Sequence, residues 1–310
     1  MRRAFASVCT VVVIVTVTTT GCTSATADRP GSTRPRNDTQ AQNKGRELTG
    51  SEQVLIDRAE EQLIKKCMER ERFRYWPEPV ESAAERRRHS YVLDDVGWAR
   101  TYGYGRQLER KAEKAWRSNP NDAYVNALPQ AERIRHSKSL DGDQSGGALI
   151  AELPGGGTVR AARDGCRADA KDRLYGDFPA WFRAERTVTG LTTLYVPDLV
   201  KDKRFVNAVT AWSACMGEAG HPYDDPPEIR TKLPALADGL SPAKAHAAEV
   251  ELAVAEATCA TKTSLADTAR ALEREYRAKS LKRYREEAAD YRRMGLAALA
   301  QAEDITGSTA

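Results

Sequence analysis

The chain has 310 residues, and its 48 Lys and Arg against 44 Asp and Glu leave a net charge of only +4. That surplus lies at the front: Arg2 and Arg3, then Arg29, Arg34, Arg36, Lys44 and Arg46 against Asp28, Asp38 and Glu47. The rest is near neutral, with acid and base interspersed as in Arg70-Glu71-Arg72-Phe73-Arg74, which describes a solvated surface and excludes a nucleic-acid footprint.

The first element is a targeting segment. Met1-Arg2-Arg3 precedes Ala4 to Thr20, an almost entirely apolar or hydroxylated stretch, and then Gly21-Cys22. A short basic head, an apolar run and a small residue before the cut describe a secretory signal. A cysteine directly after the cut makes it a lipoprotein signal, because the thiol receives the diacylglycerol. Residues 1–21 are therefore expected to be removed and Cys22 lipidated, with the mature chain at the extracytoplasmic face of a cell membrane and membrane lipid as a partner. The box Thr19-Thr20-Gly21-Cys22 is degenerate, so an uncleaved anchor, or ordinary cleavage with Cys22 as a spare thiol, are competing readings. The apolar core Val11 to Val17 is short for a spanning helix, which needs about 20 apolar residues. Residues 22–50 are rich in Thr, Ser, Pro, Gly, Asn and Gln with one Leu and no aromatic residue, and read as a disordered tether.

Residues 51–306 are expected to form the folded part, with 307–310 as a tail. Of the six cysteines, Cys9 belongs to the signal and Cys22 to the lipid. Cys67, Cys166, Cys215 and Cys259 remain, an even number that argues for two disulfides in an exported chain. None has the close spacing of a zinc knuckle or redox motif. Cys67-Met68 is followed by Tyr75, and Cys215-Met216 at the same distance by Tyr223, with prolines after both. Each Cys-Met pair ends an amphipathic helix: Ile56, Ala59, Leu63 and Cys67 share one stripe with Ile64 and Met68 beside it, and Phe205, Ala208, Trp212, Cys215 and Ala219 share another. Cys166 follows Asp164-Gly165 in a second helix that Asp164 is expected to cap and Gly176 to end. Cys259 lies on a face with Ala248, Leu252 and Ala255 in a helix opened by Ser241-Pro242.

The spacing thus predicts a mainly α, disulfide-stapled fold from two diverged Cys-helix/Cys-helix units with minimal β. Unit one spans 51–176 with an insertion at 80–165, and unit two spans 198–302. The pairing of least loop-closure cost is Cys67 with Cys166 and Cys215 with Cys259, each stabilising by roughly 4 to 5 kcal/mol in the loop-entropy model; Cys67 with Cys215 is the rival. Leu191 to Val196 reads as a short strand. Ser264 to about Ala302 reads as one long C-terminal helix, capped by Ser264-x-x-Asp267 and bent at Gly295.

The Cys-Met-x6-Tyr turn, the helix from Glu249 to Cys259 followed by Lys262-Thr263-Ser264-Leu265, and the string Asp164-Gly165-Cys166 to Leu174-Tyr175-Gly176-Asp177 resemble secreted proteins and lipoproteins of actinobacteria. Arg72 stands where that resemblance implies a glycine before Phe73. The resemblance implies export and a helical, cysteine-stapled fold, and transfers no site residue.

Candidate sites are few. Asp141, Asp143, Ser145, Gly146 and Glu152 match the spacing by which a calcium loop wraps oxygens around one cation. Against it, Leu149 offers no oxygen at the ninth position, and Pro154 with three glycines bars an exiting helix. The competing reading is a Gly-rich turn into an extended run, Ala148 to Leu153, with no metal. His89, His136, His221 and His246 form no metalloprotease spacing and read as solvated or locally bonded. Trp76, Trp98, Trp116, Trp181 and Trp212 invite a sugar platform, but are scattered and more simply fill a core. No serine, phosphate loop or cofactor motif is nominated. The leading expectation is a non-enzymatic cell-envelope lipoprotein that binds or scaffolds an unknown ligand. The alternatives are an enzyme acting on cell-wall polymer, and a transporter substrate-binding lipoprotein, which needs alternating strands and helices.

Overall fold

In the computed structural model of the chain, residues 45–86, 91–143 and 147–309 are described. The expected signal, Cys22 and the expected tether as far as residue 44, together with His89, Ser145 and Gly146, lie outside the described residues. Helix α1 (Gly50–Arg70) opens on a capping box: Thr49 Oγ1 accepts from the Glu52 amide and the Glu52 carboxylate accepts from the Thr49 amide. Its buried stripe is the one the sequence spacing predicts, with Ile56, Ile64 and Met68 fully enclosed, each worth about 1.5–3 kcal/mol of apolar burial.

The insertion supplies α2 (Val96–Tyr102), α3 (Arg106–Arg117), α4 (Pro120–Ala127) and α5 (Gln130–Asp141). The glycines and prolines of 80–138 suggest breaks at Gly97, Gly103, Gly105, Pro120 and Pro129, of which Gly97 lies instead inside α2. Gly103 and Gly105 turn the chain with positive φ, Pro120 sits in the first turn of α4 behind Asn119, and Pro129 precedes α5. An antiparallel hairpin follows, β1 (Ala148–Glu152) on β2 (Thr158–Ala162), with Leu149 opposite Ala161 and Glu152 opposite Thr158. Then come α6 (Cys166–Tyr175), α7 (Phe178–Gly190), α8 (Thr192–Leu199), α9 (Lys203–Glu218), α10 (Pro226–Leu236), α11 (Pro242–Lys262), α12 (Leu265–Leu281) and α13 (Arg285–Thr306).

Both disulfides are those of least loop closure: Cys67–Cys166 and Cys215–Cys259, with Cα–Cα distances of 5.5 and 5.7 Å. Each anchors an apolar cluster. The first gathers α1 and α6 around Cys67, Ile64 and Leu174; the second gathers α8, α9, α11 and α12 around Trp212, Cys215 and Cys259.

The two Cys-Met turns share a backbone hydrogen-bond pattern. At the end of α1, Glu71 N–H donates to Cys67 O (3.1 Å) and Phe73 N–H to Met68 O (2.9 Å). At the end of α9, Ala219 donates to Cys215 O (3.0 Å) and His221 to Met216 O (2.9 Å). Both turns place the next-to-last residue of this motif in the left-handed region, Arg72 at φ 66° and Gly220 at φ 83°, the geometry of a Schellman cap. Arg72 therefore holds a conformation that glycine adopts without steric cost. The likeness stops at the second helices, since Cys166 opens α6 whereas Cys259 lies near the end of α11.

Several expectations need correction. Leu191 to Val196 is helical. Leu191, Tyr195 and Leu199 recur every four residues and all three are buried, so helical packing overrides the β-branched and aromatic composition. The strands lie instead in the Gly-rich stretch, with β1 along the predicted extended run. The C-terminal pattern is two helices, broken at Lys282–Tyr284 rather than bent at Gly295. Ser264 sits at φ 58° and makes no capping bond, because an N-cap needs extended backbone. Asp164 caps nothing at α6; its carboxylate accepts from the Asp143 amide (2.9 Å).

The two units also exchange parts. Met294, Ala298, Leu299 and Ala302 of α13 complete the first cluster, although sequence order places them with the second. From the insertion, Val92 joins the second cluster, and Leu93, Trp98 and Ala99 pack on Ala253 and Ala257 of α11. The chain is stapled twice, but each staple holds a core built from both halves.

Candidate functional site

Two constellations of ionisable groups lie outside ordinary surface pairs. The first is buried in α11, where Glu249 and Glu256 stand two turns apart on an alanine-rich stripe, 3 % and 0 % exposed. Glu256 accepts from both Arg230 Nη atoms (2.7 and 2.7 Å), the Tyr104 hydroxyl (2.6 Å) and the Leu93 amide (2.9 Å). Glu249 Oε1 accepts from the amides of Tyr104 (2.8 Å) and Arg106 (3.2 Å), and the Arg230 guanidinium lies 4.7 Å from the Tyr104 ring centre. Burial, then the nearby Glu256 charge, push the Tyr104 phenol far above its usual range. This is a clamp: two acids replace water for the backbone of the segment 93–106 and fasten it to α11. Both oxygens of Glu256 and Oε1 of Glu249 take their donors from the protein itself.

The second constellation is open. A cleft of about 480 Å³ lies at the seam between the two apolar clusters. One wall is the entry to α1, from Glu47 to Gly50; the others are the α7–α8 junction, one turn of α12, and Tyr291-Arg292 of α13. Leu48, Val188 and Leu191 give it an apolar side. Its charges are only partly matched within the protein. Glu47 pairs with Arg277 at 2.9 Å. Glu273 accepts one long hydrogen bond, 3.4 Å from the Tyr195 hydroxyl, and among the described residues no cation pairs with it. Arg292 has no acidic partner among the described residues, and its Nε is buried with no hydrogen-bond partner. Burial raises the Tyr195 and Tyr291 phenols, with Glu273 adding to the first and Glu185 and Glu47 to the second.

The residues nominated by sequence go elsewhere. Asp141 ends α5 and pairs with Arg167 (3.1 Å), Asp143 pairs with Lys138 (2.9 Å), and Glu152 ends strand β1. A strand after residue 147 replaces the helix that a calcium loop would feed, and among the described residues no three His, Cys, Asp or Glu side chains gather as a metal site. His136 is neither solvated nor locally bonded: it is 4 % exposed against Phe73 (5.0 Å, edge-on), and its Nε2 has no partner. Trp98 and Trp212 are core residues, whereas Trp116 is exposed. None of the tryptophans lines the cleft.

Sequence reading missed both constellations. Glu249 and Glu256 carry a signal, two acids seven apart on a stripe otherwise of Ala, Leu and Cys. The cleft carries none, because its walls come from four separate stretches of chain. No protein-family model, curated protein or solved structure matches this chain. Among the described residues no helix is long and apolar enough to cross a membrane.

Proposed function

We propose that the protein is a bacterial cell-envelope lipoprotein, anchored through Cys22 at the extracytoplasmic face of the membrane, whose folded domain acts by binding. The observation that carries this reading is the cysteine arrangement: the four cysteines after the Gly21-Cys22 junction are all consumed in two disulfides. Disulfides persist in oxidising compartments, which agrees with an export signal and leaves Cys22 as the one cysteine of the mature chain for lipid. The binding role is supported by the cleft, whose volume falls within the roughly 300–1,000 Å³ of small-molecule sites. It opens beside residues 45–49, where the tether joins the domain.

Membrane fractionation with mass spectrometry of the amino terminus tests the anchor. The parent should partition with membranes and carry a diacylglycerol-modified Cys22. Cys22→Ala should release the protein or leave it as uncleaved precursor. A Cys22→Ala protein that fractionates and migrates like the parent would end the lipoprotein reading.

A further inference from the structure

We infer that the cleft takes a small zwitterion of amino-acid to dipeptide size, its carboxylate against Arg292 and its ammonium against Glu273. The inference deepens the reading of the folded domain as a binding module and rests on it. Once the Glu47–Arg277 pair is set aside, the cleft retains one guanidinium and one carboxylate without charged partners among the described residues. Arg292 Nε is one of eight buried side-chain nitrogen or oxygen atoms without a hydrogen-bond partner among the described residues, and of these eight it alone belongs to a residue lining the cleft. A ligand bearing only an anion would satisfy Arg292 but leave its charge near Glu273 uncompensated. A cation alone would do the reverse. A ligand with one charge of each sign satisfies both, and charged hydrogen bonds in a partly dry site are the strong ones.

Size and lining narrow the class further. About 480 Å³ excludes a folded partner but holds a dipeptide. Leu48, Val188 and Leu191 offer an apolar side chain somewhere to lie. A carbohydrate is disfavoured, since sugars stack on exposed aromatic faces. No tryptophan lines the cleft, the Tyr195 ring is 3 % exposed and packed into the second cluster, and the half-buried Tyr291 is the one other ring in its walls.

Calorimetric titration of the full-length protein in detergent with alanyl-leucine is the test, alongside its N-acetylated and carboxamide forms, which each lack one charge. Alanyl-leucine should bind with a Kd at or below about 1 mM, and each blocked form about tenfold or more weaker, as expected for loss of a charged hydrogen bond. Arg292→Gln should weaken alanyl-leucine but not its carboxamide. Glu273→Gln should weaken alanyl-leucine but not its N-acetyl form. Arg292→Lys keeps the charge and should retain most of the affinity, which separates lost recognition from lost folding. Absence of binding to the folded parent, equal binding of the blocked forms, or binding of a di-N-acetylglucosamine probe in place of the dipeptide would each overturn the inference. The anchor reading is judged by fractionation of Cys22→Ala, so either can fail without the other.

Discussion

The buried clamp on α11 and the seam cleft use similar residues, carboxylates, arginines and tyrosines between helices, and reach opposite states. In the clamp, Glu256 accepts four hydrogen bonds from Arg230, Tyr104 and Leu93 and has no exposed surface. In the cleft, Glu273 accepts one long bond and Arg292 pairs with nothing among the described residues. A buried polar group whose partners come from its own chain is a structural fastener. Glu273 and Arg292 have no charged partner among the described residues, and both line an open cleft, which is the ground for assigning them a ligand.

The sharpest test of that contrast is to remove an acid from each. Glu256→Ala strands Arg230 and the Leu93 amide in the interior and should destabilise by about 3–5 kcal/mol, as for other broken buried pairs. Glu273→Gln should change stability by less than about 1 kcal/mol, because the side chain is only half-buried and its single long bond carries little. Thermal or urea unfolding of both variants decides it. Equal losses would mean that the cleft is as much a fastener as the clamp.

The staples come next. The Cys67–Cys166 bridge closes 99 residues and Cys215–Cys259 closes 44. Loop entropy then predicts losses of about 4.7 and 4 kcal/mol for the paired Cys→Ser variants. Because α13 and the segment 91–99 cross between clusters, loss of either bridge should broaden or lower one shared transition. Two independent transitions by calorimetry would mean that the halves fold separately after all.

What the sequence made legible follows from periodicity and local chemistry. The stripes ending in Cys67 and Cys215, the Ser241-Pro242 start and the disulfide partners all depend on near neighbours or on loop length. Leu191 to Val196 was misread because composition favoured a strand, while burial of Leu191, Tyr195 and Leu199 set a helix. The return of α13 to the first cluster left no mark, since Met294 and Leu299 read as core facing either staple. The cleft was invisible for the same reason: Glu47, Glu273 and Arg292 are brought together by tertiary packing alone.

His136 gives a pH test within the first cluster's edge. Burial lowers its pKa from 6.5, opposed by Asp141. The unfolded chain takes up a proton as pH falls below 6.5 while the folded protein resists it, so the unfolded state binds more protons in that window. The stabilisation is present in full above about pH 6.5 and is lost as pH falls through the lowered folded value. Urea midpoints measured at about pH 5 and about pH 7 should therefore differ less in His136→Phe than in the parent. An unchanged difference would mean that His136 is protonated in the fold.

The smallest effects separate two glycines, one behind each constellation. Gly103 sits at φ 60°, and a Cβ there would lie 2.8 Å from Glu249 Cγ. Gly103→Ala must strain the backbone and push a buried acid off two amides, so it should cost more than about 1 kcal/mol. Gly295 lies inside α13 with ordinary helical geometry, and its Cβ would meet Leu48 Cδ1 at 3.2 Å. Alanine gains up to about 1 kcal/mol of helix propensity over glycine there, against a shift of a few tenths of an ångström in a side chain at the cleft's edge. Gly295→Ala should therefore be near neutral in stability but displace Leu48 from its seat. In a Leu48→Ala background the same substitution should become clearly stabilising, because the contact is gone and the propensity remains. A double-mutant cycle reads this coupling directly. Strict additivity would mean that Leu48 does not rest on Gly295, and that residues 45–49 are not a fixed wall of the cleft.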